Sequence, residues 1–266
     1  MSAPAAWTFW IEGIGLWAPG LTDFAALRER LAGRVPTPPA AHPAAARLPA
    51  NERRRAPDSV RLAVEVADQA VRMSGREAAA LACVFASTQG DAAISDYMCA
   101  TLASAATELS PTRFHNSVHN AAVGYWTIAT GCHAPSSAVA AGDASFAAGL
   151  LEAASLALAE TDAVLLAGYD GVASGPLAAV LHNRQPFGSA LVIAARRTPQ
   201  ALARVTLRLG HGLAPSAPPP ALAALADGSP AASALPLLAA LAGTGGAVTL
   251  AAGATLQLAL DVEPGA

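Results

Sequence analysis

Two stretches of the sequence gather side chains that could do chemistry. The first is VAAGDASF, residues 139–146, where a run containing Val139 turns through Gly142 and Asp143 into an alanine-rich run. A sharp strand-to-helix turn of this kind is where many α/β enzymes present a nucleophile. The residue at this turn is an aspartate, a poor acyl acceptor. A carboxylate just ahead of a helix accepts hydrogen bonds from the free N–H groups of the first turn, worth about 1 kcal/mol, so Asp143 is expected to be a cap. The second stretch is FHNSVHNAAVGYW, residues 114–126, which places His115, Asn116, His119 and Asn120 within six residues. His115 and His119 at i, i+4 could share a metal on a helix, but neither a third ligand nor the glutamate of an HExxH motif is near, and no metal is expected. Asn and His in a turn are expected to satisfy backbone groups instead. Ser117 or Ser145 could be imagined in a triad with Asp143, yet GDASF is not a GxSxG elbow and no histidine follows at a suitable strand end.

The elements that must position these residues follow from periodicity. Residues 7–17 read as a first strand running into a Gly-punctuated loop. Thr22 is expected to cap a helix with Phe24, Leu27 and Leu31 on one face and Gly33 as its stop. A second helix runs from about Asp58 to Met73 on a stripe of Val60, Val64, Ala67 and Val71, closed by Gly75. The near-continuous apolar run at 79–88 fits a strand buried on both faces. Strands at 136–141, 162–168, 189–195 and 204–210 alternate with helical segments, the pattern of an α/β layered domain. The segment 144–160 is apolar almost all round and is expected to be a helix buried between layers. Residues 213–233, LAPSAPPPALAALADGSPAAS, read as an Ala/Pro-rich linker, and 234–266 as a tail ending in the strand TLQLALDV.

Composition narrows the function. Of the 266 residues 53% are hydrophobic, so core material is ample, while 13% are charged against roughly a quarter in ordinary soluble proteins. A large permanent interface would account for this, as would a genome that inflates alanine. A net charge of -3 leaves no footprint for nucleic acid or anionic lipid. All sixteen basic residues are arginine, which removes Schiff-base, Ser-Lys and P-loop chemistry. Cys83, Cys99 and Cys132 show neither CxxC spacing nor an even count, so neither zinc nor a disulfide framework is expected, and a reducing cytoplasm fits. The N-terminus lacks the basic lead-in of a signal peptide. The uncharged span 228–260 is broken by Pro236 and four glycines, so no membrane span is expected.

The order of the pieces resembles the N-terminal half of a β-ketoacyl synthase of the thiolase fold. IEGIGLWAPG (11–20) resembles that family's first strand and loop, ERRRAPDSVRLAVEVADQAV (52–71) its Arg-rich helix lead-in, and SPTRFHNSVHNAAVGYWTIATG (110–131) the segment before the active-site strand. SSAVAAGDASFAAGLLEA (136–153) with DAVLLAGYDG (162–171) resembles the strand, elbow, central buried helix and next strand. Counting back from Ala167-Gly168 puts Asp143 where an active synthase has its cysteine. The match covers about residues 7–195, and its wording is closest to the chain length factors of aryl polyene clusters. The resemblance implies a truncated thiolase-like α/β fold, with 1–212 as the synthase-like domain. It implies no catalytic residue of the chain's own and no cofactor, the acyl chains arriving on the phosphopantetheine of a carrier protein. The implied partner is an active β-ketoacyl synthase in a heterodimer, with the carrier protein an indirect one. Tunnel and interface residues implied on this basis are Tyr97, Met98, Phe114, Asn116, His119, Asn120, Trp126, Asp143 and Phe146, with Tyr97 and Met98 as the tunnel floor. Rival readings are an independent acyltransferase or decarboxylase using Cys99 or Cys132, and an acyl-binding or carrier-docking module with Arg53 to Arg55 facing an acidic carrier.

Overall fold

Residues 6–34 and 42–265 are described by the structure, a computed structural model. Eight apolar runs form strands: β1 (Trp7–Trp17), β2 (Ala82–Ala86), β3 (Ser136–Val139), β4 (Ala163–Asp170), β5 (Phe187–Ala194), β6 (Ala203–His211), β7 (Gly246–Ala251) and β8 (Leu256–Pro264). They make one mixed sheet in the order β3-β2-β4-β5-β1-β6-β8-β7. The β3, β2 and β4 strands are parallel, and every other pairing is antiparallel. The parallel trio needs long crossovers. Among these, α4 (Ala92–Ser104), α5 (Pro111–His115) and α6 (Ala121–Thr130) join β2 to β3, and α7 (Ser145–Ala159) joins β3 to β4.

Side chains of the central strands point alternately into two cores. Cys83, Phe85, Leu165 and Val192 meet α3 (Asp58–Ser74) and α6 on one face. Val84, Leu166, Leu191 and Ile193 meet α7, α1 (Phe24–Leu31) and α9 (Leu235–Ala242) on the other. The short α2 (Ala50–Arg55), which buries no residue, leads into α3, and α8 (Ala223–Ala226) precedes α9. Helix α3 follows its expected stripe, and Gly75 at φ +68° closes it.

Several expectations change. Asp23, not Thr22, caps α1, its carboxylate accepting the Ala26 N–H at 2.8 Å. The Thr22 carbonyl instead accepts from the Gln69 amide at 2.9 Å. Gly13 and Gly15 lie within β1 rather than in a loop, because the main chain of α3 rests on them. A Cβ on Gly13 would overlap the Ala70 carbonyl oxygen, and one on Gly15 that of Val66. Residues 213–233 are not a loose linker. Leu222, Leu225, Ala231 and Ala232 are buried in the α7 core, where small side chains let the turn at Pro230–Ala234 pack closely. The tail adds β7 and β8 to the same sheet, and β8 pairs with β6 along nine residues. Helix α7 buries Phe146, Leu150, Ala153 and Ala157 against the sheet, while Glu152 and Leu158 on its outer side are exposed. No helix among the described residues is long and apolar enough to cross a membrane.

The approach of α3 to β1 yields a direct test. Gly15→Ala is expected to cost about 3 kcal/mol or more in urea melts, because a main-chain oxygen cannot swing aside. Gly75→Ala, where the added Cβ meets nothing within 4 Å, should cost only the left-handed strain of about 1–2 kcal/mol.

Candidate functional site at the ends of the parallel strands

Ligands of open α/β sheets sit outside the carboxyl ends of the parallel strands. Here β3, β2 and β4 converge on one polar cluster. After β3 the chain turns through Gly142, whose φ is +56°. The Ser145 hydroxyl fixes this turn by accepting from the Ala141 N–H at 3.0 Å and donating to the Gly142 carbonyl at 2.6 Å. The strand-turn-helix shape is therefore held by Ser145. Asp143 does not cap α7, contrary to expectation: Ala144 occupies the cap position and no side chain bonds the first turn. The reason is register, since α7 begins at Ser145, one residue beyond the reach of an Asp143 cap. The exposed Asp143 carboxylate makes no hydrogen bond among the described residues and borders a cleft of about 580 Å³ with His182, Arg184, Asp227 and Ser229.

Asp170, which ends β4 and is 1% exposed, is the centre of the cluster. It accepts from the Ser87 hydroxyl at 3.0 Å, the Thr88 N–H at 2.8 Å and the Thr88 hydroxyl at 2.7 Å. Burial raises the Asp170 pKa above the ordinary carboxylate range, and these hydrogen bonds oppose the rise. Burial also pushes the neighbouring Tyr169 phenol up, with Asp170 the next contributor. The Thr88 hydroxyl has one proton, so its 3.5 Å approach to the Gly142 carbonyl is a marginal contact beside the bond to Asp170.

The nine implied residues do not share one place. His119 joins the cluster, with Nε2 2.9 Å from the Ser87 carbonyl, the backbone role expected of it. Phe146 lies beneath, packed where Gly168 leaves room; a Cβ there would come within 2.8 Å of its ring. Trp126 is fully buried on the opposite face against Phe85, ring centroids 6.4 Å apart, so Trp126 and Phe146 are core residues of this chain rather than surface ones. Tyr97 and Met98 are half-buried on α4, and Phe114 is exposed on α5. Asn116 is buried, with no partner for Oδ1, and Asn120 leads α6 without a side-chain cap bond. Asp170, Ser87 and Thr88 were not anticipated. Their signal was a carboxylate closing an otherwise apolar strand, LLAGYD, beside another strand ending in Ser-Thr.

No hydrogen bond joins Ser145 Oγ to a histidine or carboxylate. The Cys132 thiol is buried and donates to the Leu81 carbonyl at 3.2 Å. Burial pushes Cys83 up to about 12, with Cys132 a further contributor. Cys99 is exposed on α4, away from the elbow. Among the described residues no group of three or more His, Cys, Asp or Glu could hold a metal ion.

The family profile described as "Beta-ketoacyl synthase, N-terminal domain" matches residues 29–251. Among solved structures, the chain is similar to one from the ketosynthase ApeO in complex with its chain length factor ApeC from Xenorhabdus doucetiae. That match has 25% identity and a TM-score of 0.71, covering 96% of this chain and 99% of that one. The ishigamide ketosynthase/chain length factor matches at 17% identity and TM-score 0.72, covering 96% and 99%. A chain of the AntDE:AntF assembly, a type II polyketide synthase acyl carrier protein with its ketosynthase, matches at 12% and 0.72, covering 97% and 99%. These last two likenesses establish the thiolase-like fold. No curated protein matches.

The raised Asp170 pKa has a signed consequence. The folded state holds this proton more tightly than the unfolded chain, so the associated stability is fully present below the unfolded pKa and is lost as pH rises through the folded one. Denaturation free energy should therefore fall with rising pH just above the ordinary carboxylate range. In Asp170→Asn that part of the slope should be missing when melts are compared across pH.

Proposed function

The chain belongs to the β-ketoacyl synthase N-terminal domain family, and we propose that within it the chain is a chain length factor, a catalytically silent subunit paired with an active ketosynthase. The observation that carries this reading is the elbow. Its turn is kept, with Gly142 at positive φ and Ser145 clamping both sides, yet the residue presented is an exposed carboxylate with no hydrogen-bond partner among the described residues. A condensing enzyme needs a thiolate there, which the dipole of the following helix favours. Asp143 cannot form the acyl thioester, and neither buried cysteine can substitute. The likeness to a chain of the ketosynthase and chain length factor complex from Xenorhabdus doucetiae supports the same reading. The aryl polyene class is proposed from the sequence resemblance, as is delivery of acyl chains on a carrier protein's phosphopantetheine.

The partner surface is proposed to centre on β3. This strand ends the sheet, and its residues alternate between exposed and half-buried. An unpaired edge is a template for another strand. Apolar side chains stand exposed on the preceding segment, Phe114 at 58% and Ile128 at 82%, as a permanent interface would use them. The far edge is different: Ser216 and Thr249 exchange hydrogen bonds at 2.8 and 2.9 Å, so the segment before α8 covers β7.

Co-expression with the active synthase is the deciding experiment. Product should form only when both chains are present, and the two should elute together; product from this chain alone overturns the reading. Asp143→Asn is expected to change stability by no more than about 0.5 kcal/mol, since its carboxylate holds nothing, and the complex should keep its activity. Loss of product from an intact complex would make the carboxylate part of the chemistry. With Tyr97 and Met98 proposed as the tunnel floor, either Ala substitution should lengthen the product and Met98→Trp should shorten it by overlap. Mass spectrometry counts the units, and an unchanged distribution in both Ala variants places the floor elsewhere.

A further inference from the structure

Only Ala92 and Ile94 are buried among the thirteen residues of α4, so apolar packing alone does not fix the direction of this helix. Polar ties do. At its start Asp91 accepts the Ile94 N–H at 2.8 Å and the Ser59 hydroxyl of α3 at 2.7 Å. Further along, Asp96 accepts from the Ser174 hydroxyl at 3.3 Å. Gly175, at φ +57°, leaves the room this needs, since a Cβ there would overlap the Asp96 carboxylate. The next residue is Tyr97. Its hydroxyl accepts the Ser110 N–H at 3.0 Å, and the Arg113 guanidinium lies 4.0 Å from its ring centroid. Arg113 has no carboxylate at ion-pair distance among the described residues, and α5, which carries it, buries nothing. Its charge is therefore directed at the face of the ring.

We infer that Arg113 is a positioning residue for product length: stacked over Tyr97 and acting with the Ser110 N–H, it locks the ring in one orientation, so that the floor ends the tunnel at one depth. The inference rests on the proposed role of Tyr97 as floor and adds a residue that need not touch the growing chain. The phenol is held at two points, the hydroxyl from one side and the π face from another. Removing the guanidinium leaves the hydroxyl bond as the ring's one polar tie among the described residues, and the half-buried ring gains room to swing about it. A floor with several orientations gives several lengths.

The test uses the reconstituted complex of this chain with its synthase, each variant verified as intact by size-exclusion chromatography. Arg113→Ala should broaden the length distribution and raise the ratio of longer to normal product roughly two- to fivefold, the range for an exposed cation–π contact. Arg113→Lys, which keeps a cation over the ring, should restore most of the normal distribution. In this chain's NMR spectrum the Arg113 side-chain Nε–H proton should be shifted upfield by the ring, and Tyr97→Leu should abolish that shift. An unchanged distribution in Arg113→Ala while Tyr97→Ala lengthens the product overturns the clamp and leaves the floor standing. Equal shifts in Arg113→Ala and Arg113→Lys overturn it as well, because the charge over the ring would then be irrelevant. If Tyr97→Ala itself changes nothing, floor and clamp fall together.

Discussion

The main chain of α3 lies directly on β1, with no side chain between them at Gly13 and Gly15. Much else is set by that approach. Strand β1 stands in the middle of the sheet and divides its hydrogen bonds between two neighbours, pairing with β6 over Trp7 to Ile11 and with β5 over Trp10 to Trp17. The changeover falls at a register shift between Ile11 and Gly13. Glu12 sits at this irregularity, 1% exposed, and is held by the Arg76 guanidinium and the Thr198 hydroxyl. A bulge re-aims a strand and sharpens its twist. The one beneath α3 lets a single strand pair with β6 at one end and with β5 at the other.

With the sheet so arranged, the ends of three parallel strands arrive together, and Asp170 connects the ends of two of them, β4 and β2. Its three donors come from Ser87 and Thr88 in the loop after β2. A buried carboxyl would be costly without them. The bonds tie the loop after β2 to the end of β4, while the elbow is closed by its own serine. The shape of the turn is thus held apart from the residue it presents: Ser145 and Gly142 maintain it without using the side chain at 143.

The layered α/β order was legible from apolar runs and their spacing, because strands buried on both faces leave a continuous apolar signal. Gly13 and Gly15 were harder. A glycine in sequence reads as a turn, and only the helix lying over β1 explains why two of them belong inside a strand. The segment 213–233 failed for a related reason: alanine and proline carry no periodic signature, yet Ala231 and Ala232 pack closely because they are small. At the site, Asp143 was located correctly as the residue at the turn but given the wrong task, since a cap depends on a register of one residue. Asp170 was missed because a lone acid after an apolar strand looks like the start of a loop until its donors, 82 and 83 residues away for Thr88 and Ser87, are seen.

The two borders of the sheet are unequal. Beyond β7 the N–H and C=O of Thr249 are met by Ser216, whereas β3 ends the sheet with no strand beyond it among the described residues. A sheet that can be extended at both sides can propagate from molecule to molecule without end, as fibres do. One with a single open side admits one neighbour and then stops. The serine on the β7 side therefore blocks a further strand at Thr249, and extension of the sheet is left to the β3 side.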